Sequence, residues 1–97
     1  MKQHEFLIDY AIERGNMISV HDGKEWRLEL CMSKDPVLET IEIINGRCLI
    51  YINKTESIQI CTVVIDNVDN VDQSIIDYTT CEYMDDFFEA WTIHRTL

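Results

Sequence analysis

Four carboxylates near the end of the chain, Glu82, Asp85, Asp86 and Glu89, stand at i, i+3, i+4 and i+7. That spacing puts them on one side of an α-helix, with neighbouring Cβ atoms about 5–6 Å apart. Upstream, Asp66, Asp69 and Asp72 recur every third residue, and Glu5, Asp9 and Glu13 every fourth. Carboxylates grouped in this way have three uses. They can transfer protons, hold a hard cation, or offer negative charge to a basic surface.

Proton transfer needs one carboxyl desolvated enough to raise its pKa. The acids here fall on faces that the hydrophobic pattern turns toward solvent, so no catalytic residue is assigned and the chain is read as a non-enzyme. A calcium loop needs oxygen ligands at loop positions 1, 3 and 5, a glycine at 6 and a glutamate at 12. From Asp66, positions 3 and 6 are Val68 and Val71; from Asn70, positions 6 and 12 are Ile75 and Cys81. Both registers fail, and no metal or cofactor is expected. His4, His21 and His94 are far apart and fall at helix ends or in a turn. The cysteines, at 31, 48, 61 and 81, contain no C-x-x-C pair. They are read as reduced and mostly buried rather than as zinc ligands or a redox motif. Three glycines leave no material for a phosphate-cradling loop.

The third use fits the charge balance. Eighteen acids face eight bases, for a net charge of −10 in 97 residues. Between Lys54 and Arg95 there is no base and there are nine acids. Solvated helix faces usually mix signs, because Glu–Lys pairs at i, i+4 stabilise by roughly 0.2–0.5 kcal/mol and like pairs destabilise as much. The helix dipole favours acids in the first turn, which accounts for Glu82 but not Glu89. Such a charge excludes direct binding to nucleic acid or to anionic lipid and points to a basic partner. No segment is apolar enough to span a bilayer, and the N-terminus lacks a signal-peptide pattern, so a cytoplasmic location is expected.

The elements that must carry these residues form one domain, 1–97, of α+β class. Residues 4–14 have a helical period, with Phe6, Leu7, Tyr10 and Ala11 on one side and Gly15 ending the turn. A strand over 17–20 leads into His21-Asp22-Gly23, a hairpin signal. Residues 24–32 alternate, which aims Trp26, Leu28, Leu30 and Met32 at a core. The β-branched run 37–44 reads as a strand, joined through Asn45-Gly46 to a central strand over 47–53 and then to another over 58–65. Residues 66–72 read as a loop and 72–78 as a short helical turn. Thr79 and Glu82 fit a capping box for a helix ending near His94, packed through Phe87, Phe88 and Trp91. The architecture expected is thus an N-terminal helix, an antiparallel meander of about five strands, and a C-terminal helix on one sheet face.

In size, acidity and carboxylate runs the chain resembles small acidic phage-encoded inhibitors of bacterial defence, anti-CRISPR proteins that mimic DNA in particular. The resemblance is one of profile across the whole chain, without a shared motif. It implies an inhibitor that blocks target-DNA binding by a type I surveillance complex in the host bacterial cytoplasm. The partner would be a basic nucleic-acid-binding protein or ribonucleoprotein complex, with no direct nucleic-acid or membrane contact. The residues expected to bind it are Asp66, Asp69, Asp72, Asp77, Glu82, Asp85, Asp86 and Glu89, with Tyr78 and Tyr83 beside them. Glu5, Asp9 and Glu13 form a secondary stripe. An immunity protein or antitoxin covering a basic nuclease site obeys the same physics. A structural or assembly module, acidic only for solubility, is the reading from another class.

Overall fold

The computed structural model describes residues 1–44, 46–67 and 73–97. Among these residues the chain forms three helices and five strands. They are α1 (Gln3–Glu13), β1 (Met17–His21), β2 (Trp26–Cys31), α2 (Lys34–Ile43), β3 (Arg47–Asn53), β4 (Gln59–Asp66), β5 (Ile75–Tyr78) and α3 (Glu82–Thr96). The strands make one antiparallel sheet in the order β2-β1-β3-β4-β5, with β3 at its centre.

Two strands expected from sequence differ in kind. Of the 37–44 run, residues 37–43 belong to α2 and Ile44 is its C-cap. Val37, Leu38 and Ile41 recur at helical spacing, and Pro36 lies in the first turn, where a missing N–H costs nothing. Topology also requires this helix. β2 and β3 each run antiparallel to β1 and therefore parallel to one another. Parallel strands cannot be joined by a tight turn and need a crossover, which is commonly helical. Asn45-Gly46 thus follows a helix rather than closing a hairpin; Gly46 has φ 117°, and Asn45 lies outside the described residues. Conversely, the helical turn expected over 72–78 is replaced by β5, where Val63 faces Tyr78 and Ile65 faces Ile75 across the ladder. The sheet has five strands as expected, with β5 in place of 37–44, and it is not a simple meander.

β2 departs from its alternation. The ladder to β1 shifts register on both sides of Val20, pairing Val20 with Leu28 but His21 with Trp26 and Ile18 with Cys31. These irregularities change which side chains face inward. Leu28 and Cys31 are half-buried, whereas Trp26, Leu30 and Met32 are exposed. Leu30 has φ 47° at the irregularity, and its N–H donates to Ser19 Oγ at 2.9 Å. The Trp26 ring turns to the opposite sheet face, 4.8 Å from Tyr51 and 4.9 Å from His21.

All three helices cover one sheet face. Cys48, Ile50 and Ile52 of β3 and Cys61, Val63 and Ile65 of β4 alternate into a core that also holds Leu7, Ile8, Val37, Ile41, Met84 and Phe87. α1 lies between α2, which rests on β1 and β2, and α3, which rests on β4. A seam of rings joins α1 to α3: Phe6 lies 6.0 Å from Phe87 and 5.3 Å from Trp91, and Tyr10 meets Phe87 edge-on at 5.7 Å.

Five buried polar residues fasten elements together. Gln3 Oε1 accepts from the Ile75 N–H at 2.9 Å, and Ser74 Oγ accepts from the His4 N–H at 3.0 Å. Tyr83 donates its hydroxyl to Asn16 Oδ1 at 2.7 Å, and Ser19 holds β2 as described above. Satisfied in this way, buried polar groups fix which elements meet. Thr79 does not cap α3. It extends the β4–β5 ladder instead, donating its N–H to Thr62 O at 2.9 Å and accepting the Thr62 N–H on Oγ1 at 3.1 Å. Cys81 is the N-cap residue, with extended backbone and no side-chain cap bond.

Phe87 is fully buried at the centre of the seam. Phe87→Ala is expected to destabilise the fold by about 3–5 kcal/mol, by loss of transfer energy and creation of a cavity. The check is the urea midpoint, which should fall with little change in the slope of the transition.

Candidate functional site

The carboxylates divide between the two layers of the molecule. The helices carry ten acids: Glu5, Asp9 and Glu13 on α1; Asp35, Glu39 and Glu42 on α2; Glu82, Asp85, Asp86 and Glu89 on α3. Their ranges contain two bases, Lys34 and Arg95. The strands carry three acids, Glu29, Asp66 and Asp77, against Arg27 and Arg47. Nearly all of the −10 charge therefore lies on the helix layer, and the opposite sheet face is close to neutral. That segregation is a property of the fold, because helix periodicity turns the acids outward while the apolar side of each helix is buried.

Within α3, Glu82, Asp85, Asp86 and Glu89 are all exposed, on the side opposite buried Met84, Phe87 and Trp91. Asp85 and Glu82 lie in the first turn, where the helix dipole favours them. The α1 stripe is partly engaged. Asp9 accepts from Lys34 Nζ at 2.7 Å, which also raises the lysine pKa, and Glu5 accepts the Lys2 backbone N–H at 2.9 Å. Glu13 is exposed. The α2 row was missed by sequence reasoning because 37–44 was read as a strand. The signal was present in Asp35, Glu39 and Glu42 at i, i+4 and i+7.

Of the other expected binding residues, Asp66 and Asp77 do not join this surface, whereas exposed Tyr78 lies against α3 and Tyr83 lies on it. Asp66 ends β4 and pairs with Arg47 at 3.5 Å, so it is partly neutralised. Asp77 pairs with Val64, whose side chain lies opposite the helix layer, and it accepts the Tyr78 N–H on its own Oδ1. Tyr78 packs on Phe88 at 4.8 Å, whereas Tyr83 is half-buried against Tyr10, its hydroxyl held by Asn16 and its pKa pushed up by burial. Asp69 and Asp72 lie outside the described residues. Sequence reasoning thus placed the α3 row correctly on an exposed face, but merged residues that belong to different faces.

A cleft of about 240 Å³ opens between the start of α1 and the end of α2, lined by Lys2, His4, Glu5, Leu38, Glu42 and Asn67. His4 is 4% exposed, and its Nδ1 lies 2.9 Å from Ser74 Oγ. Because that oxygen already accepts the His4 backbone N–H, its own O–H is available to donate to Nδ1, which fits a neutral ring. Among the described residues no group of three or more His, Cys, Asp or Glu is placed to hold a metal ion. No helix among them is long and apolar enough to cross a membrane. Comparison with protein-family models, with curated proteins and with solved structures found no match to this chain.

Burial lowers the His4 pKa from its ordinary 6.5, with Glu5 opposing and Lys2 assisting. The unfolded chain therefore takes up the proton first as pH falls. The contribution of His4 to stability is present above pH 6.5 and is lost progressively below it, toward the lower folded pKa. Urea titrations from pH 7.5 to 5.0 should show stability declining over that window. His4→Gln, which cannot titrate, should flatten the decline; an unchanged slope would assign the effect to other groups.

Proposed function

We propose that this protein is a non-enzymatic inhibitor that sets its acidic helix layer into the basic nucleic-acid-binding site of another protein. The observation that carries the reading is the segregation of charge: ten acids and two bases on the helices, and a sheet face near neutrality. A chain made acidic for solubility alone has no need to confine its charge to one layer. A basic channel that receives duplex phosphates would attract this layer by the same counterion release and long-range steering that it applies to DNA. The rigidity of the scaffold supports the reading as well. The carboxylates are presented on helices whose buried faces are fixed, so little ordering entropy is lost on binding.

Among basic partners, the type I CRISPR surveillance complex is the one that the size and charge profile suggest. The α3 row, Glu82, Asp85, Asp86 and Glu89, is the centre of the proposed contact, with Glu13 on α1 and Glu39 and Glu42 on α2 extending it. Interfaces of this kind concentrate their energy in a few residues, so two or three acids should dominate.

The test is competition. A purified type I surveillance complex is titrated with labelled target duplex in the presence of increasing protein. Duplex affinity should fall in proportion to the protein added, and the effect should weaken as salt rises. Unaltered duplex binding at saturating protein sinks the surveillance-complex assignment. Capture of a nuclease toxin from bacterial lysate, in a salt-sensitive manner, would move the partner to the immunity class.

Asp86→Lys with Glu89→Lys changes the centre of the row while sparing Asp85, which the helix dipole favours. The double variant should bind its partner about tenfold more weakly or worse, mainly through slower association. Its melting temperature should stay within a few degrees of the parent, since like-charge neighbours are removed from an exposed face. Retained binding at unchanged stability argues against this face.

A further inference from the structure

β3 and β4 carry more apolar residues than one core needs. Their core-facing residues alternate with Leu49 and Tyr51 on β3 and with Thr62 and Val64 on β4, which turn to the opposite sheet face. Pairing sets Leu49 beside Val64 and Tyr51 beside Thr62. On the other flank it sets His21 beside Leu49 and Trp26 beside His21. These six residues form one contiguous patch that contains no Asp, Glu, Lys or Arg. An antiparallel sheet that meets solvent on one face normally sets polar side chains there, and near-continuous apolar strands are the mark of burial on both faces. Here all three helices lie on the other face, and Trp26 is 47% exposed.

The surrounding charge selects the occupant. The two bases in the strands, Arg27 and Arg47, are already paired, with Asp22 at 3.2 Å and Asp66 at 3.5 Å. They leave no cluster of bases on this face for a nucleic acid or an anionic membrane. A basic protein is drawn instead to the ten acids of the helix layer. A second copy of this chain, of net charge −10, meets the opposite constraint. It is repelled by the helix layer and can approach closely only sheet to sheet.

We propose that the uncovered sheet face is a homodimer interface, on which two copies pack face to face about a two-fold axis with Leu49 and Tyr51 near the centre. A two-fold contact joins a patch to its own copy, so a face free of net charge is self-complementary. Its Trp and Tyr, and its lack of charged residues, match the composition of interface cores. The sheets pack about 10 Å apart, which leaves the two helix layers on the outside and about 30 Å from each other. That is several times the screening length of about 8 Å at physiological salt, so their repulsion does not oppose the contact. The 30 strand residues, at about 3.3 Å per residue and about 4.8 Å between strands, give a footprint of about 480 Å². Two such faces bury on the order of 1,000 Å², the low end of specific interfaces, so the dimer is a reversible one. Both acidic layers stay free in it, and it stands independently of the proposed partner.

The test is sedimentation of the whole protein from about 1 to about 300 µM, the range in which weak interfaces dissociate. The average mass should rise with concentration from 11.4 kDa toward twice that value. Added salt should not weaken the association, because no ion pair carries it. Leu49→Lys brings like charges together near the axis and should weaken the dimer about tenfold or more. Ile43→Lys, at a 70% exposed position on α2, should leave it unchanged. At about 1 µM, where the parent is monomeric as well, the urea midpoint of Leu49→Lys should match the parent's. Thr62→Lys, on the same face, repeats the measurement if that midpoint falls. A chain that stays monomeric throughout overturns the proposal. So does a dimer that both lysines on the sheet leave intact, or one that Ile43→Lys disrupts.

Discussion

Packing two negatively charged helices side by side on one sheet is possible only because an aromatic seam holds them. α1 and α3 meet through Phe6, Tyr10, Phe87 and Trp91, with ring centroids 5.3–6.0 Å apart. On α3 the acids form four like-charged neighbour pairs at i, i+3 or i, i+4. At about 0.2–0.5 kcal/mol each, they destabilise the helix by about 1–2 kcal/mol. Removing one buried ring costs about 3–5 kcal/mol. The apolar side therefore outweighs the repulsion on the polar side, and the charge can be concentrated without loss of the fold. Arg14 contributes from the end of α1, its guanidinium 3.3 Å from the Tyr10 ring centroid.

Most of the fold was legible in local signals. α1 followed from its period and from Gly15, which takes φ 75°. β3 and β4 followed from continuous apolar runs, and the turn at Asp22-Gly23 from its residue types. There Asp22 accepts the Glu25 and Lys24 N–H groups, which, with Arg27, hold its pKa down to about 2. The two substitutions of element type arose where propensity and topology disagreed. Val37, Ile41, Ile43 and Ile44 favour a strand by side-chain shape. Yet the chain must cross from one side of β1 to the other between parallel strands, and a helix does so while burying Val37, Ile41 and, at its C-cap, Ile44, leaving Ile43 exposed. At 75–78 the pairing partner is β4, so the strand depends on contacts more distant in sequence than any local pattern can reveal.

The candidate surface was legible for α3 and only in part elsewhere. The i, i+3, i+4, i+7 row of Glu82, Asp85, Asp86 and Glu89 survives because a long helix with a strong apolar side fixes its outer face. Asp66 and Asp77 looked equivalent in the one-dimensional charge run, but strand geometry separates them from it. Asp66 meets Arg47 across the ladder, a base from outside the acidic stretch. The absence of bases between Lys54 and Arg95 thus did not mean an absence of partners, since sheet pairing brings distant residues together. The missing α2 acids follow from the same error that made the helix a strand.

A layer of helices differs physically from an acidic tail of equal charge. A tail would screen a basic site but would lose conformational entropy on binding and fix no spacing. Here the buried polar fasteners at Gln3, His4 and Ser74 tie α1 to the β5 edge, and Asn16 ties α3 to the turn between α1 and β1, so the carboxylate positions are set before any partner arrives. Such preorganisation lets modest exposed charges act together, although each alone in water is worth little. Those positions depend on how firmly the start of the last helix is held to β4, and the Thr62–Thr79 pairing extends the ladder to just ahead of α3.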